Sequence, residues 1–274
     1  MQEDNVTIIE PRAAFGHIGI AEIVRYRELL YFLALRDIQV RYKQTVLGVV
    51  WVLFQPLVAS LIVAFVFGSL VRFDGAAVPY PVYILSGMIF WLFVFTAVTM
   101  ASNVFVGNTN LVTKVYFPRI IFPIASTSAC LTDLLISLPI LLILMGFYGV
   151  AFSFQILIAP VAIGLLFLLA SVVGIMFSAL NVRFRDVKFA LPFFLQIWML
   201  ASPIFYPSGL VPEKWQLLWA VNPLVGILDL WRAMLFGGLP DWPLILVSCS
   251  SLLVIMFVSI SVFRYMEDDF ADIL

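Results

Sequence analysis

Charged residues are scarce in this 274-residue chain: Asp, Glu, Lys and Arg make up 11% of it, whereas 64% is hydrophobic and the mean hydropathy is +1.11. Soluble globular domains carry about 25% charged residues, so the composition excludes a water-soluble fold. The formal net charge of −1 gives no basis for binding nucleic acid. The sequence therefore predicts an all-α polytopic membrane protein.

The chain also lacks the residues that most catalytic or metal sites need. His17 is the only histidine, and the two cysteines, Cys130 and Cys249, lie in apolar runs where a thiol usually acts as a small hydrophobe. A zinc site and an intramembrane serine protease are excluded on these grounds. None of the four lysines follows a glycine or precedes Ser or Thr, so the P-loop is absent. We expect no cofactor and no metal in this chain.

Long apolar runs divide the chain into membrane-spanning segments. Residues 1–19 are predicted to form a cytoplasmic lead, and residues 20–274 a single membrane domain. Six spans are expected at about residues 48–71, 80–106, 120–149, 154–180, 189–206 and 244–263. With both termini cytoplasmic, twelve of the fifteen Lys and Arg residues fall in cytoplasmic segments, as the positive-inside rule requires.

A basic amphipathic helix is predicted at residues 20–43, before the first span. It mixes apolar positions with cations that include Arg25, Arg36, Arg41 and Lys43. A helix of this kind lies in the inner membrane interface, with its cations among anionic headgroups.

The loop at residues 107–119 carries Lys114 and Arg119 but no acidic residue, which predicts a cytoplasmic location. Two readings remain open, a solvated turn or a docking element for a cytoplasmic partner. A second basic loop follows at residues 181–188.

Asp133 is the only acidic residue well inside an apolar run. A carboxylate in lipid is costly, so it either faces a pore or is protonated or paired within the protein. Both alternatives stay open at this point.

Residues 207–241 are too apolar for an ordinary loop, yet the two runs within them are too short to span. Asn222 followed by Pro223 predicts a helix start, and Gly237 a helix end. We expect a re-entrant outer hairpin of two short helices at residues 215–221 and 223–236. The i and i+3 spacing of Asp229 and Arg232 would allow an ion pair on one helix face. The alternative is an interfacial cap held by tryptophans.

Asp268, Asp269 and Asp272 have the DDxxD spacing that holds magnesium on prenyl diphosphates. A membrane enzyme acting on polyprenyl diphosphates is therefore an alternative function. A single copy of such a short motif is more typical of a solvated acidic tail.

Five stretches in order carry a family resemblance: RYKQTVLGVVWVLFQP at residues 41–56, NLVTKVYFPR at 110–119, NVRFRDV at 181–187, NPL at 222–224, and EDDFAD in the tail. Together they resemble the membrane subunits of ABC exporters for O-antigen, capsule and teichoic-acid chains. The KVYFPR wording is closer to the O-antigen and teichoic-acid branch. A small-molecule or drug exporter with the same permease fold is the other reading.

The resemblance implies a homodimer of permease subunits in the bacterial cytoplasmic membrane, above two copies of a separate ABC ATPase that holds ATP and Mg²⁺. It implies a lipid-linked glycan as the substrate, and the cations of the interface helix would attract the carrier diphosphate. The residues implied to couple to the ATPase are Asn110, Lys114, Tyr116, Phe117, Arg119, Arg183, Arg185 and Asp186. The residues expected at the channel or gate are Tyr80, Phe90, Trp91, Trp198, Trp215, Asp229 and Arg232.

Because the P-loop is missing, we predict that the purified chain alone hydrolyses no ATP. A phosphate-release assay on the detergent-purified protein checks this, with a P-loop ATPase as positive control. Hydrolysis that copurifies with this chain through two further chromatographic steps would contradict the prediction.

Overall fold

The computed structural model describes residues 24–43, 48–68, 78–109, 117–151 and 153–273, with the side chains of residues 271 and 272 left aside. Within these ranges the chain is helical and contains no strand, in agreement with the predicted all-α class. The helices are α1 (Arg27–Tyr42), α2 (Gly48–Phe67), α3 (Tyr80–Gly107), α4 (Ile121–Phe147), α5 (Ala159–Arg183), α6 (Val187–Ala201), α7 (Glu213–Trp219), α8 (Pro223–Phe236), α9 (Trp242–Glu267) and α10 (Phe270–Ile273). Short 3₁₀ turns occur at Phe154–Ile158 and Ser208–Leu210. The predicted lead at residues 1–19 lies outside the described residues.

Among the described residues, five helices are long and apolar enough to cross a membrane: α2, α3, α4, α5 with the turn before it, and α9. A sixth is reached only if the bent pair of α7 and α8 counts as one span. The span expected at residues 189–206 is a helix of 15 residues that ends at Ala201. Ser202 is extended because it precedes Pro203, which disfavours helical backbone in the residue before it. The predicted helical boundary at 206 is therefore wrong.

Helix α3 lies at the centre of the bundle. In its most apolar stretch 72% of the residues are buried, against 11% in α2. Helices α4 and α5 pack on α3, and α5 also packs on α9. Helix α2 contacts α3 and α4 at the periphery of the bundle. Helix α2 therefore presents Trp51, Phe54 and Phe65 to the outside.

The hairpin formed by α7 and α8 follows the predicted signals. The two helix axes differ in direction by 106°. The Leu224 N–H donates to Asn222 Oδ1 at 3.1 Å, Pro223 begins α8, and Gly237 ends it with φ 77°. This is the left-handed region that glycine enters without strain. The short paired helices expected here are confirmed.

Helix α8 approaches α9 closely at Gly226. The Gly226 N–H donates to Ser248 Oγ at 2.9 Å, and that hydroxyl donates to Ala220 O at 2.8 Å. A Cβ atom at position 226 would lie 2.6 Å from Ser248 Cβ and 2.9 Å from the Cα of Ile245. The missing side chain is what lets the hairpin pack on α9.

We predict that Gly226→Ala lowers the free energy of unfolding by about 1 to 3 kcal/mol, because the added methyl group overpacks the contact between α8 and α9. Gly164→Ala is the matched control: apart from the neighbouring backbone of its own helix, no atom lies within 4 Å of its added Cβ, and alanine favours helix. Unfolding of the two variants in mixed micelles measures the difference. Equal stability of the two variants would show that the close approach is not needed.

Candidate functional site

The residues predicted to couple to an ATPase lie at one end of the bundle, as far as they are described. Asn110, Lys114 and Tyr116 lie outside the described residues. Phe117 and Arg119 come just before α4; the Phe117 side chain is buried, with its ring centroid 4.9 Å from that of Phe122.

Arg119 and Arg183 are held beside the end of α9. The Arg119 Nη1 group donates to the Glu267 carbonyl oxygen. The Arg183 Nη1 atom is 3.7 Å from a carboxylate oxygen of Asp269. Arg185 and Asp186 are exposed in the turn between α5 and α6. The structure thus brings both basic segments to the same end of the protein.

The predicted interface helix is described from residue 24, and its helical part is α1. Leu33 and Ala34 are buried, whereas Tyr31, Phe32 and Val40 are more than half exposed. Of the predicted headgroup cations, Arg25 and Lys43 are exposed. Arg36 pairs with its neighbour Asp37 at 2.8 Å.

Arg41, by contrast, turns inward onto Asp133 of α4. Its Nη1 group and the Tyr42 hydroxyl each donate to one carboxylate oxygen of Asp133, and its Nη2 group donates to Cys130 Sγ at 3.2 Å. Burial, and then the hydrogen bond to Asp133, raise the pKa of Tyr42, so its hydroxyl keeps the proton that it donates. The sequence predicts that Asp133 either faces a pore or is protonated or paired within the protein; in the structure it is paired. The positive charge of Arg41 is thereby already matched within the protein.

At the opposite end of the bundle, Arg232 of α8 is buried in a nest of oxygen atoms. Its Nη1 group donates to the Tyr83 hydroxyl and to Pro203 O, both at 2.5 Å, and its Nη2 group to Ile204 O at 3.1 Å. The guanidinium carbon lies 3.6 Å from the centroid of the Tyr83 ring. A Cβ atom at Gly87 would come within 2.8 Å of Nη2 and 3.1 Å of Ile204 O, so the glycine gives room for the guanidinium and the carbonyl group beside α3.

The predicted ion pair between Asp229 and Arg232 is wrong. Arg232 is directed toward α3 and the carbonyl groups after α6, and its described hydrogen bonds go to those elements. Asp229 instead accepts a hydrogen bond from the Asp241 N–H at 2.9 Å, across the turn that joins α8 to α9.

Two of the aromatic residues expected to line a channel are enclosed in the core. Phe90 has no exposed surface and stacks on Trp231 with 4.4 Å between ring centroids. Trp91 is 4% exposed and meets Trp198 edge-on at 6.1 Å. The rings of Phe90 and Trp91 therefore reach no surface that a substrate could contact in this conformation.

The other candidates lie near the hairpin. The Tyr80 hydroxyl donates to Phe205 O at 2.9 Å, and Trp198 Nε1 donates to Asn222 Oδ1 at 2.8 Å. Trp215 on α7 is half exposed. Tyr80 also borders an apolar cavity of about 300 Å³, whose other lining residues are Val63, Phe67, Leu200, Phe205 and Tyr206.

Three residues that organise these ends were not singled out from the sequence: Tyr83, Ser248 and Phe270. Arg232 was itself the available signal for Tyr83, since a cation inside an apolar helix must find partners in neighbouring segments. For Ser248 and Phe270 the sequence offers no comparable signal. The neighbours of Ser248 are typical of a membrane helix, and those of Phe270 are typical of an acidic tail.

Comparison with known proteins places this geometry in a family. The family model described as "ABC-2 type transporter" matches residues 28–236. The chain is 27% identical to an O-antigen export system permease protein RfbA of Klebsiella pneumoniae over 250 residues, covering 90% of this chain and 95% of the relative. It is 25% identical to the RfbA of Myxococcus xanthus over 92% of this chain and 98% of the relative. A polysialic acid transport protein KpsM of Escherichia coli is 27% identical over 86% and 92%.

We predict that Arg41 and Asp133 stabilise the protein as a unit. Arg41→Met and Asp133→Leu each leave one partly buried charge without its partner. The double variant should therefore lose less free energy of unfolding than the two single losses added together, by about 1 to 3 kcal/mol. Equilibrium unfolding of all four proteins gives this coupling energy.

The pair of Arg36 and Asp37 is the control, because both residues lie on α1 and join no second helix. The Arg36 side chain is also more exposed than that of Arg41, 35% against 21%, so this pair is expected to couple by no more than about 1 kcal/mol. Additive effects of Arg41→Met and Asp133→Leu would show that the contact does not hold α1 to α4.

Proposed function

Because the chain belongs to the ABC-2 type transporter family, we propose that it is the membrane-spanning subunit of an ATP-driven exporter that moves a lipid-linked polysaccharide, O-antigen-like or teichoic-acid-like, across the cytoplasmic membrane. The observation that carries this proposal is the similarity to O-antigen export permeases along almost the whole length of both chains. The match to the family model extends from residue 28 to residue 236, which is the last residue of α8 in the hairpin.

The energy source is a separate ABC ATPase with its own ATP and Mg²⁺. Two findings support this division of labour. The chain has no P-loop, and two basic segments meet at one end of the bundle, where Arg183 and Arg185 are exposed. An end rich in exposed cations is predicted to face the cytoplasm, so both termini would lie there.

A homodimer provides the substrate path. Helix α2 buries little of its surface within one subunit, and α6 exposes Phe193 and Ile197. We assign the substrate path to the dimer interface beside α2 and α6, next to the apolar cavity bordered by Tyr80. Aromatic rings there would stack on sugar faces without requiring one particular sugar sequence.

The carrier lipid enters from the inner leaflet. Arg25, Arg36 and Lys43 are the cations of α1 and its ends that we assign to the diphosphate, since clustered cations at this surface attract anionic headgroups. Arg41 has a different task, because it is held by Asp133 of α4, whereas Arg36 pairs only with its neighbour Asp37 and keeps 35% of its side chain exposed.

In this proposal, transport is driven by movement at the end of the bundle that carries the two basic segments, residues 107–119 and 181–188. Closure of the ATPase would push on the segment before α4 and on α1, separate α2 from α6 across the dimer, and release the hairpin of α7 and α8. The hairpin is the gate in this scheme, and Arg232 is the contact that holds it closed on α3 and on the residues after α6.

Deletion of this chain should leave the lipid-linked polysaccharide on the inner leaflet and remove it from the cell surface. Antibody labelling of whole cells against lysed cells measures the two pools. The wild-type chain should restore the surface signal.

The double variant Asp268→Asn with Asp269→Asn should restore the surface signal as well, since a transporter does not use these carboxylates for chemistry. Glycan that stays on the surface without the chain would contradict the proposal. Loss of export in the double variant would instead favour an enzyme acting on polyprenyl diphosphates.

A further inference from the structure

The acidic tail after α9 is docked on the bundle. Helix α9 continues to Glu267, and Phe270 follows three residues later with no exposed surface. The centroid of the Phe270 ring lies 5.0 Å from that of Phe105 and 5.7 Å from that of Phe263. A phenylalanine enclosed among aromatic rings fixes the segment that carries it.

The pocket that receives Phe270 is built from the start of α4 and the end of α3. Phe105 contacts Phe122 edge-on at 5.9 Å, and Phe122 contacts Phe117 at 4.9 Å. Phe117 and Arg119 belong to the segment assigned to the ATPase. The tail therefore packs against the base of that segment, through one continuous cluster of rings.

The same tail holds one cation from each basic segment. The guanidinium carbon of Arg119 lies 5.7 Å from the centroid of the Phe270 ring, and its Nη1 group donates to the Glu267 carbonyl. Asp269 faces Arg183 at 3.7 Å, where both side chains are substantially exposed. A pair as exposed as this contributes little to holding the tail on the bundle, so Phe270 is the residue that fixes the tail. The fixed tail in turn places the Asp269 carboxylate beside Arg183.

We propose that residues 267–270 form a brace that positions Arg119 and Arg183 for contact with the ATPase, and that Phe270 is its positioning residue. This rests on the proposed function, since it presumes that the two cations face such a partner. It adds a role for a segment that the sequence presents as a solvated acidic tail.

The test uses the full-length chain in lipid vesicles and the P-loop ATPase that we expect in the adjacent reading frame. The stimulated ATPase rate is measured against the concentration of the ATPase subunit. Phe270→Ala should raise the half-maximal concentration about tenfold, within the usual range for coupling between two sites. The maximal rate at saturating ATPase should stay near that of the wild-type chain, because the variant removes no group that the ATPase touches.

Phe270→Leu keeps an apolar side chain in the pocket but removes the ring beneath Arg119. It should raise the half-maximal concentration about threefold, as loss of an exposed cation–π contact would. Should Phe270→Ala not be recovered from membranes, this milder variant carries the test.

Leu141→Ala is the control for a general loss of stability. Leu141 is fully buried in α4, twenty residues beyond Ile121 and about 30 Å along the helix. Its variant should lower the unfolding temperature about as much as Phe270→Ala does, with the half-maximal concentration unchanged.

Unchanged half-maximal concentrations in both Phe270 variants would overturn the brace and leave the proposed function standing. Equal increases in the Leu141 and Phe270 variants would overturn it too, because the effect would then be one of stability. A wild-type chain that neither binds nor stimulates the ATPase would instead overturn the proposed function, and the brace with it.

Discussion

The buried guanidinium of Arg232 is the constraint on which the end of the protein that carries the hairpin of α7 and α8 depends. A cation in an apolar environment without water must be solvated by protein oxygen atoms. Arginine offers five N–H donors in a fixed plane, and here they reach Tyr83 on α3 and the carbonyl groups of Pro203 and Ile204. Those carbonyl groups lie in the turn that follows α6, outside any helix, where they can accept from a side chain. Gly87 leaves room on α3 for the guanidinium and for Ile204 O. The residues after α6, Gly87 on α3 and the hairpin thus meet at this one contact.

Asp133 forms the second polar contact, which is partly buried and lies toward the opposite end of the bundle. Its carboxylate is satisfied by Arg41 and Tyr42 at the end of α1, so a helix outside the core is tied to a helix within it. Between these two polar contacts the packing of α3, α4 and α5 is apolar and close. The contact of α1 with α4 and the contact of the hairpin with α3 thus lie on either side of an apolar core.

Much of this architecture could be predicted from the sequence, because its causes are local. Apolar runs give the long helices, Asn222 and Pro223 begin α8, and Gly237 ends it. The errors concern partners that are distant in the chain. The sequence suggests Asp229 as the partner of Arg232, three positions away on the same helix face, because only the spacing along the chain can be read from a sequence. The true partners lie 149 positions away at Tyr83 and 28 or 29 positions away at Ile204 and Pro203.

The aromatic residues show the same limit. Phe90 and Trp91 are aromatic, as channel-lining residues often are. The side of α3 that faces the core, however, is set by the packing of α8 on Phe90 and of α6 on Trp91. The tail is a further case. Its acidic residues suggest that it extends into solvent, whereas the buried side chain of Phe270 docks it on the bundle. The side of an apolar helix that meets protein rather than lipid cannot be read from hydrophobicity, since both environments favour the same residues.

Hydrogen exchange of Arg232→Met measured by mass spectrometry tests the central claim most directly. The backbone N–H groups of α8 and of the segment after α6 should exchange faster than in the wild-type chain, with α4 unchanged, because the carbonyl nest has lost its cation. Lys214→Met, which removes an exposed cation from α7, should leave all three segments as they were. Unchanged protection of α8 in Arg232→Met would contradict the claim that this side chain holds the hairpin.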